Sequence, residues 1–293
     1  MNLAQNTPID LPGPLVSAAW LADHMHQPGL KIIDATFRMP GATPAAPEVY
    51  ALAHLPGAVF FDIDEIADHT TDLPHMLPDA AGFEQAMADL GIGAGDRIVI
   101  YDTAGILGAA RVWWMLRVFG HDNAAILDGG REAWRAEGRP VTPEVAVPVA
   151  ATPFVARFRP ELVHNLDQMM AMVNAGRSQH ILDARSAARF SGAAEEPRPG
   201  LRAGHIPGSR NLDHALLIDP ANGKLKPARE IGALLKASGI AVDEPVVTSC
   251  GSGVSACVLA FCLYLLGKDD VAVYDGSWSE WGIPGRTPVE TGA

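Results

Sequence analysis

The feature that most limits how this 293-residue chain can fold is that it repeats itself. Lys31-Ile-Ile-Asp-Ala-Thr36 resembles His180-Ile-Leu-Asp-Ala-Arg185. His54-Leu-Pro-Gly-Ala58 resembles His205-Ile-Pro-Gly-Ser209. Leu90 to Asp102 resembles Ser238 to Cys250, and Ile126 to Trp134 resembles Val273 to Trp281. The four matches keep one order and an offset of 147 to 151 residues, which chance does not produce. Two copies of one domain are therefore expected, at 14–137 and 159–285, each of ordinary domain size. Between them, residues 138–158 carry Pro140, Pro143, Pro148 and Pro153 among small apolar residues, a composition that reads as a linker.

Within each copy, short apolar runs alternate with helical spacing. Ile32-Ile33, Ile98 to Ile100 and Ala125 to Leu127 read as buried strands. Ile181-Leu182, Val246-Val247 and Val271 to Val273 are their counterparts. Phe83 to Leu90 and Glu230 to Ala237 carry helical periodicity between them. This order implies an α/β chain of two tandem domains, each a mainly parallel sheet flanked by helices. Ligands of such folds sit beyond the carboxyl ends of strands, which points to the loops after Ile100 and Val247.

Charge divides the copies. The net charge is −12, too acidic for a nucleic-acid binder. Residues 1–140 hold 8 basic and 18 acidic side chains, and residues 141–293 hold 14 and 16, so an anionic ligand suits the second half. The longest apolar run, Ala256 to Leu266, is short of the ~18–20 residues that span a bilayer and reads as a buried helix. Met1 to Asp10 lacks the basic and apolar regions of a leader. Three cysteines, Cys250, Cys257 and Cys262, are too few for a disulfide framework. A soluble cytoplasmic protein with reduced thiols, no membrane contact and no nucleic-acid partner is expected.

Cys250 stands where a strand runs into Gly251-Ser-Gly-Val-Ser255 and then into an apolar helix. Gly251 and Gly253 let the backbone curl its N–H groups toward the sulfur, and the helix start adds partial positive charge. Both favour thiolate, the reactive species. Cys257 and Cys262, inside the helix, read as core. A cysteine-phosphatase loop needs arginine at position 256, where this chain has Ala256, and so lacks the phosphate clamp.

The doubled domain and the loop Cys250-Gly-Ser-Gly-Val-Ser-Ala256 resemble the rhodanese superfamily, and within it the two-domain 3-mercaptopyruvate sulfurtransferases. The likeness covers about residues 14–285, with Ser255 where the subfamily usually has Thr. It implies two rhodanese-like domains, the first silent because Asp102 aligns with Cys250. It implies an enzyme that moves sulfur from 3-mercaptopyruvate through a Cys250 persulfide to a thiol or cyanide, releasing pyruvate. No metal and no cofactor are implied, and the acceptor would be a small thiol or thioredoxin. Arg189 and Arg198 match the arginines that hold the donor's carboxylate and carbonyl, and arginine's fork suits a carboxylate. The N–H groups of Gly251, Gly253, Val254 and Ser255 would cradle the outer sulfur. Asp64 in Phe60-Phe-Asp-Ile-Asp64, His75 in His75-Met-Leu-Pro78, and the loop Ser252 match residues proposed to handle protons, lent by the first repeat.

Two other readings stay open. Thiosulfate enzymes of the superfamily carry Arg and Lys where this chain has Gly251 and Ser252, so a thiosulfate sulfurtransferase is the weaker enzyme reading. A sulfur-relay or docking module would not need the loop and both arginines. Other features take structural readings. Gly91 to Gly95 precedes a strand, unlike a dinucleotide loop. The Asp-Gly turns at 128–130 and 275–277 occur in both copies, and Trp113, Trp114, Trp278 and Trp281 suit packing. Arg185, beside Asp183, suits an ion pair. No His/Cys/Asp/Glu group has metal-ligand spacing.

Overall fold

The computed structural model describes residues 10–39, 41–148 and 151–292; the stretch read for a leader lies almost wholly outside them. Two compact units form. One comprises the residues up to Asp62, Ala80–Arg157 and Asn222–Lys224; the other comprises Ile63–Asp79, Phe158–Ala221 and the residues from Leu225.

The first unit is built on five strands: β1 (Leu15–Val16), β2 (Leu30–Asp34), β3 (Ala58–Phe60), β4 (Arg97–Tyr101) and β5 (Ala124–Leu127). They run in the order β1-β5-β4-β2-β3, all parallel. The second unit has β6 (Val163–His164), β7 (Ile181–Asp183), β8 (Arg210–Asn211), β9 (Val247–Ser249) and β10 (Ala272–Tyr274). Their order, β6-β10-β9-β7-β8, is the same one shifted by five, and again every pair is parallel.

All five residues of β4 and all three of β9 are buried, as central strands covered on both faces must be. Val16, Leu21, Ile32, Val99, Tyr101 and Trp134 fill one core; Met169, Ile181, Ile206, Val247, Tyr274 and Trp281 fill the other. The helix Ala256–Leu265 is apolar all round, and eight of its ten residues are buried. Such a helix is a core element of its unit. No helix of the described residues is long and apolar enough to cross a membrane.

The sequence shows the six inner strands and hides the four outer ones. The edge strands β1, β3, β6 and β8 have two or three residues each, too few for any periodicity. The segment Ile63–Asp79 belongs to the second unit although it lies within the first repeat. Backbone hydrogen bonds that fix it there, such as Leu77 N–H to the Asp275 carboxylate at 2.8 Å, join residues about two hundred apart and leave no mark on local sequence.

Candidate active site

β9 ends at Ser249, and the next residue, Cys250, is 2% exposed. The loop then turns through Gly253, whose φ of +77° is open to glycine and strained for other residues, and enters the helix Ala256–Leu265. The loop's carbonyls are held from the side. Trp278 N–H donates to the Cys250 carbonyl at 2.9 Å, while Ser279 N–H and Oγ both donate to the Gly251 carbonyl at 2.8 Å. No protein acceptor for the N–H groups of Gly251, Ser252, Val254 and Ser255 is found among the described residues. The loop thus has the Cys250 and Gly251 carbonyls engaged and the N–H groups of Gly251, Ser252, Val254 and Ser255 available, the polarity that suits an anion.

Ser277 touches Cys250, and nothing in the sequence singles it out. It is fully buried and holds φ +49°, a conformation that costs a non-glycine residue energy. Cys250 N–H donates to its Oγ at 3.1 Å. That oxygen donates to the Tyr274 carbonyl at 2.7 Å and lies 4.0 Å from Cys250 Sγ. The Asp-Gly turn that precedes it occurs in both repeats and reads as structural. The signal lay one residue on, where the first repeat has Gly130 and the second has Ser277.

Arg198 and His75 meet. Arg198 Nη2 donates to His75 Nε2 at 3.0 Å, and His75 Nδ1 lies 2.7 Å from Asp64 Oδ1. Arginine can only donate, so Nε2 accepts and the ring proton sits on Nδ1, facing Asp64. The hydrogen bond from His75 holds the Asp64 carboxyl below its ordinary value, assisted by Arg198. Burial lowers the Arg198 pKa, against the opposing pull of Cys250 and Asp64. His75 itself holds φ +61°, so its loop is strained where the ring is presented.

Ser252 does not join this chain. It is buried in the loop, and among the described residues it makes no hydrogen bond to His75, whose Nε2 is taken by Arg198. Arg189 sits on the short helix Ala187–Phe190, capped by Ser186, with its guanidinium on Glu196. Arg185 is the ion-pair residue its position suggested. Its guanidinium binds Asp183 at 2.7 and 3.0 Å and stacks over Trp278 at 4.2 Å. Cys257 and Cys262 are buried and in no disulfide; Cys257 Sγ donates to the Gly253 carbonyl, and burial pushes the Cys262 thiol up to about 12. The Cys262 thiol therefore does not serve as a thiolate near neutral pH.

In the first unit the same position behaves differently. Asp102 follows β4, and its carboxylate accepts Thr103 N–H at 2.6 Å and Gly108 N–H at 2.7 Å. A fixed carboxyl group therefore engages the N–H groups of the first unit's loop.

The model of the rhodanese-like domain matches residues 17–137 and again 165–283. The chain belongs to the rhodanese family. Among related rhodanese proteins, the 3-mercaptopyruvate sulfurtransferase of Escherichia coli K12 is 42% identical over 276 residues, covering 94% of this chain and 97% of the relative. Thiosulfate/3-mercaptopyruvate sulfurtransferase 1 of Arabidopsis thaliana, a mitochondrial protein, is 43% identical over 298 residues, covering 95% of this chain and 78% of the relative. The thiosulfate sulfurtransferase of Bos taurus is 39% identical over 284 residues, covering 94% of both chains. The crystal structure of SseA from Escherichia coli superposes with a TM-score of 0.82 at 39% identity, covering 91% of this chain and 99% of that one. Rhodanese relatives with either donor in their names lie at similar identity, so the donor must be argued from the loop.

Proposed function

We propose that the protein is a 3-mercaptopyruvate sulfurtransferase acting through Cys250. The observation that carries this is the company Cys250 keeps: a loop with available N–H donors, no cationic side chain at Gly251 or Ser252, and the Arg189 guanidinium lying against Gly251, where a Cβ would stand 2.9 Å from its Nη2.

In the first half-reaction the Cys250 thiolate attacks the sulfur of 3-mercaptopyruvate. A sulfur–sulfur bond forms and the carbon–sulfur bond breaks. Pyruvate leaves with the electron pair as its enolate and is protonated at carbon, and the donor's thiol proton is given up. Arg189 and Arg198 hold the carboxylate and carbonyl end. The outer sulfur rests on the N–H groups of Gly251, Gly253, Val254 and Ser255. In the second half-reaction an acceptor takes the outer sulfur and Cys250 leaves as thiolate. The acceptor is a thiol, with reduced thioredoxin and small thiols as candidates, or cyanide.

His75 first positions Arg198 in this scheme. Proton transfer at Nε2 follows once the donor's oxygens draw the guanidinium away, with Asp64 fixing the ring. Ser252 closes the loop beside Cys250. Three cysteines in no disulfide fit a reducing compartment, and the cytoplasm is the location we propose.

Donor kinetics test the reading. kcat/KM for 3-mercaptopyruvate is expected to exceed that for thiosulfate. Ser252→Lys is expected to shift the ratio toward thiosulfate by about an order of magnitude, since one added cation favours the doubly charged donor. Thiosulfate already being the better donor of the wild type would refute the choice.

A further inference from the structure

Glu196 has no part in the scheme above, yet its side chain is only 3% exposed and is ringed by arginine. Its Oε1 accepts from Arg185 Nη1 at 2.8 Å and from Arg189 Nε at 3.3 Å; its Oε2 accepts from Arg189 Nη2 at 2.5 Å. Arg185 cannot give way. It is fully buried, bound to both oxygens of Asp183 and to the Gly204 carbonyl at 2.9 Å, and stacked on Trp278. Arg189 is a quarter exposed and, of its guanidinium nitrogens, only Nε and Nη2 are bound to Glu196. Glu196 therefore ties a part-exposed guanidinium to a buried one.

The tie decides where Arg189 points. Its tip lies on the cysteine loop: a Cβ built on Gly251 would stand 2.9 Å from Arg189 Nη2. With Nε and Nη2 gripped from the side, the Nη1 end is the edge left for a ligand. The free side-on fork that an arginine offers a carboxylate is already used within the protein.

We propose that Glu196 is a positioning residue: it holds Arg189 across Gly251 so that its Nη1 end meets the donor's carboxylate. This rests on the reading of Arg189 as a donor-binding residue. The Glu196 carboxylate is sized to reach both arginines. Aspartate keeps the charge but falls a methylene short, and glutamine keeps the length but can accept only through one oxygen.

The two half-reactions separate positioning from damage. Steady-state kinetics with 3-mercaptopyruvate and cyanide are expected to show kcat/KM for the donor falling about ten-fold in Glu196→Gln and in Glu196→Asp, chiefly through the donor's KM. The KM for cyanide should stay within about two-fold. In an Arg189→Lys background, which has no fork to grip, adding Glu196→Gln should cost less than about two-fold more. An equal fall in both half-reactions, an unchanged or raised donor kcat/KM, or a full extra loss in the Arg189→Lys background would overturn the proposal. If Glu196→Gln does not fold, Glu196→Asp, which retains both ion pairs' charges, carries the same test. A wild type inactive with 3-mercaptopyruvate would instead refute the functional reading, before any variant is compared.

Discussion

Aligned positions at the ends of β4 and β9 carry Asp102 and Cys250, and the neighbours of each have adapted to it. Opposite Cys250 stands Ser277; the aligned residue after the Asp-Gly turn of the first unit is Gly130, and a Cβ there would lie 2.2 Å from the Asp102 carbonyl. Ser277→Ala removes the acceptor for Cys250 N–H and the hydroxyl near the sulfur. It is expected to lower donor kcat/KM about ten-fold, the worth of one hydrogen bond of about 1.4 kcal/mol; rates equal to the wild type would remove Ser277 from the site. Asp102 has a different consequence. Burial pushes its pKa up to about 7, partly offset by the N–H groups of Gly108 and Thr103. The folded state thus holds this proton more tightly than the unfolded chain. The resulting stability is complete below pH about 4 and is lost as pH rises to about 7. Urea unfolding at pH 5 and pH 8 should show Asp102→Asn with a shallower loss of stability over that interval than the wild type. Equal slopes would place the pH dependence elsewhere.

The elements differ in how openly the sequence declares them. Strands such as Ile98 to Ile100 and Val246-Val247 are apolar runs bounded by turns, and the structure has β4 and β9 there. Cys250 is equally legible, because a thiol followed by two glycines and a helix has one physical meaning. What surrounds it is less so. Arg189 and Arg198 stand out only by resemblance, since arginine in a loop is ordinarily a solvated charge. Glu196 reads as one more surface carboxylate until Arg185 and Arg189 are seen on it. The turn at Asp275 looks structural because both repeats have it, but in the second unit its carboxylate receives Leu77 N–H and so anchors the strained loop of His75. Asp275→Ala is expected to speed hydrogen exchange at amides from 68 to 77 while β9 stays protected, and to lower turnover several-fold. Uniform loss of protection would mean that Asp275 supports the whole unit and not this loop.

Across the whole chain, one architecture is used twice to unequal ends. The sheets share a strand order, yet residues 1–140 carry most of the acidity and residues 141–293 carry every cysteine and the arginine-rich stretch from Arg185 to Arg210. A net charge of −12 is ill-suited to an anionic donor until it is divided in this way. Only the second unit offers a thiol at a strand end, so one sulfur atom per chain is the capacity the account allows. Intact-protein mass spectrometry after incubation with 3-mercaptopyruvate, with no acceptor present, measures this directly. The wild type should gain the mass of one sulfur atom, lose it on addition of cyanide, and Cys250→Ser should gain none. No adduct on the wild type, or the same adduct on Cys250→Ser, would contradict a Cys250 persulfide.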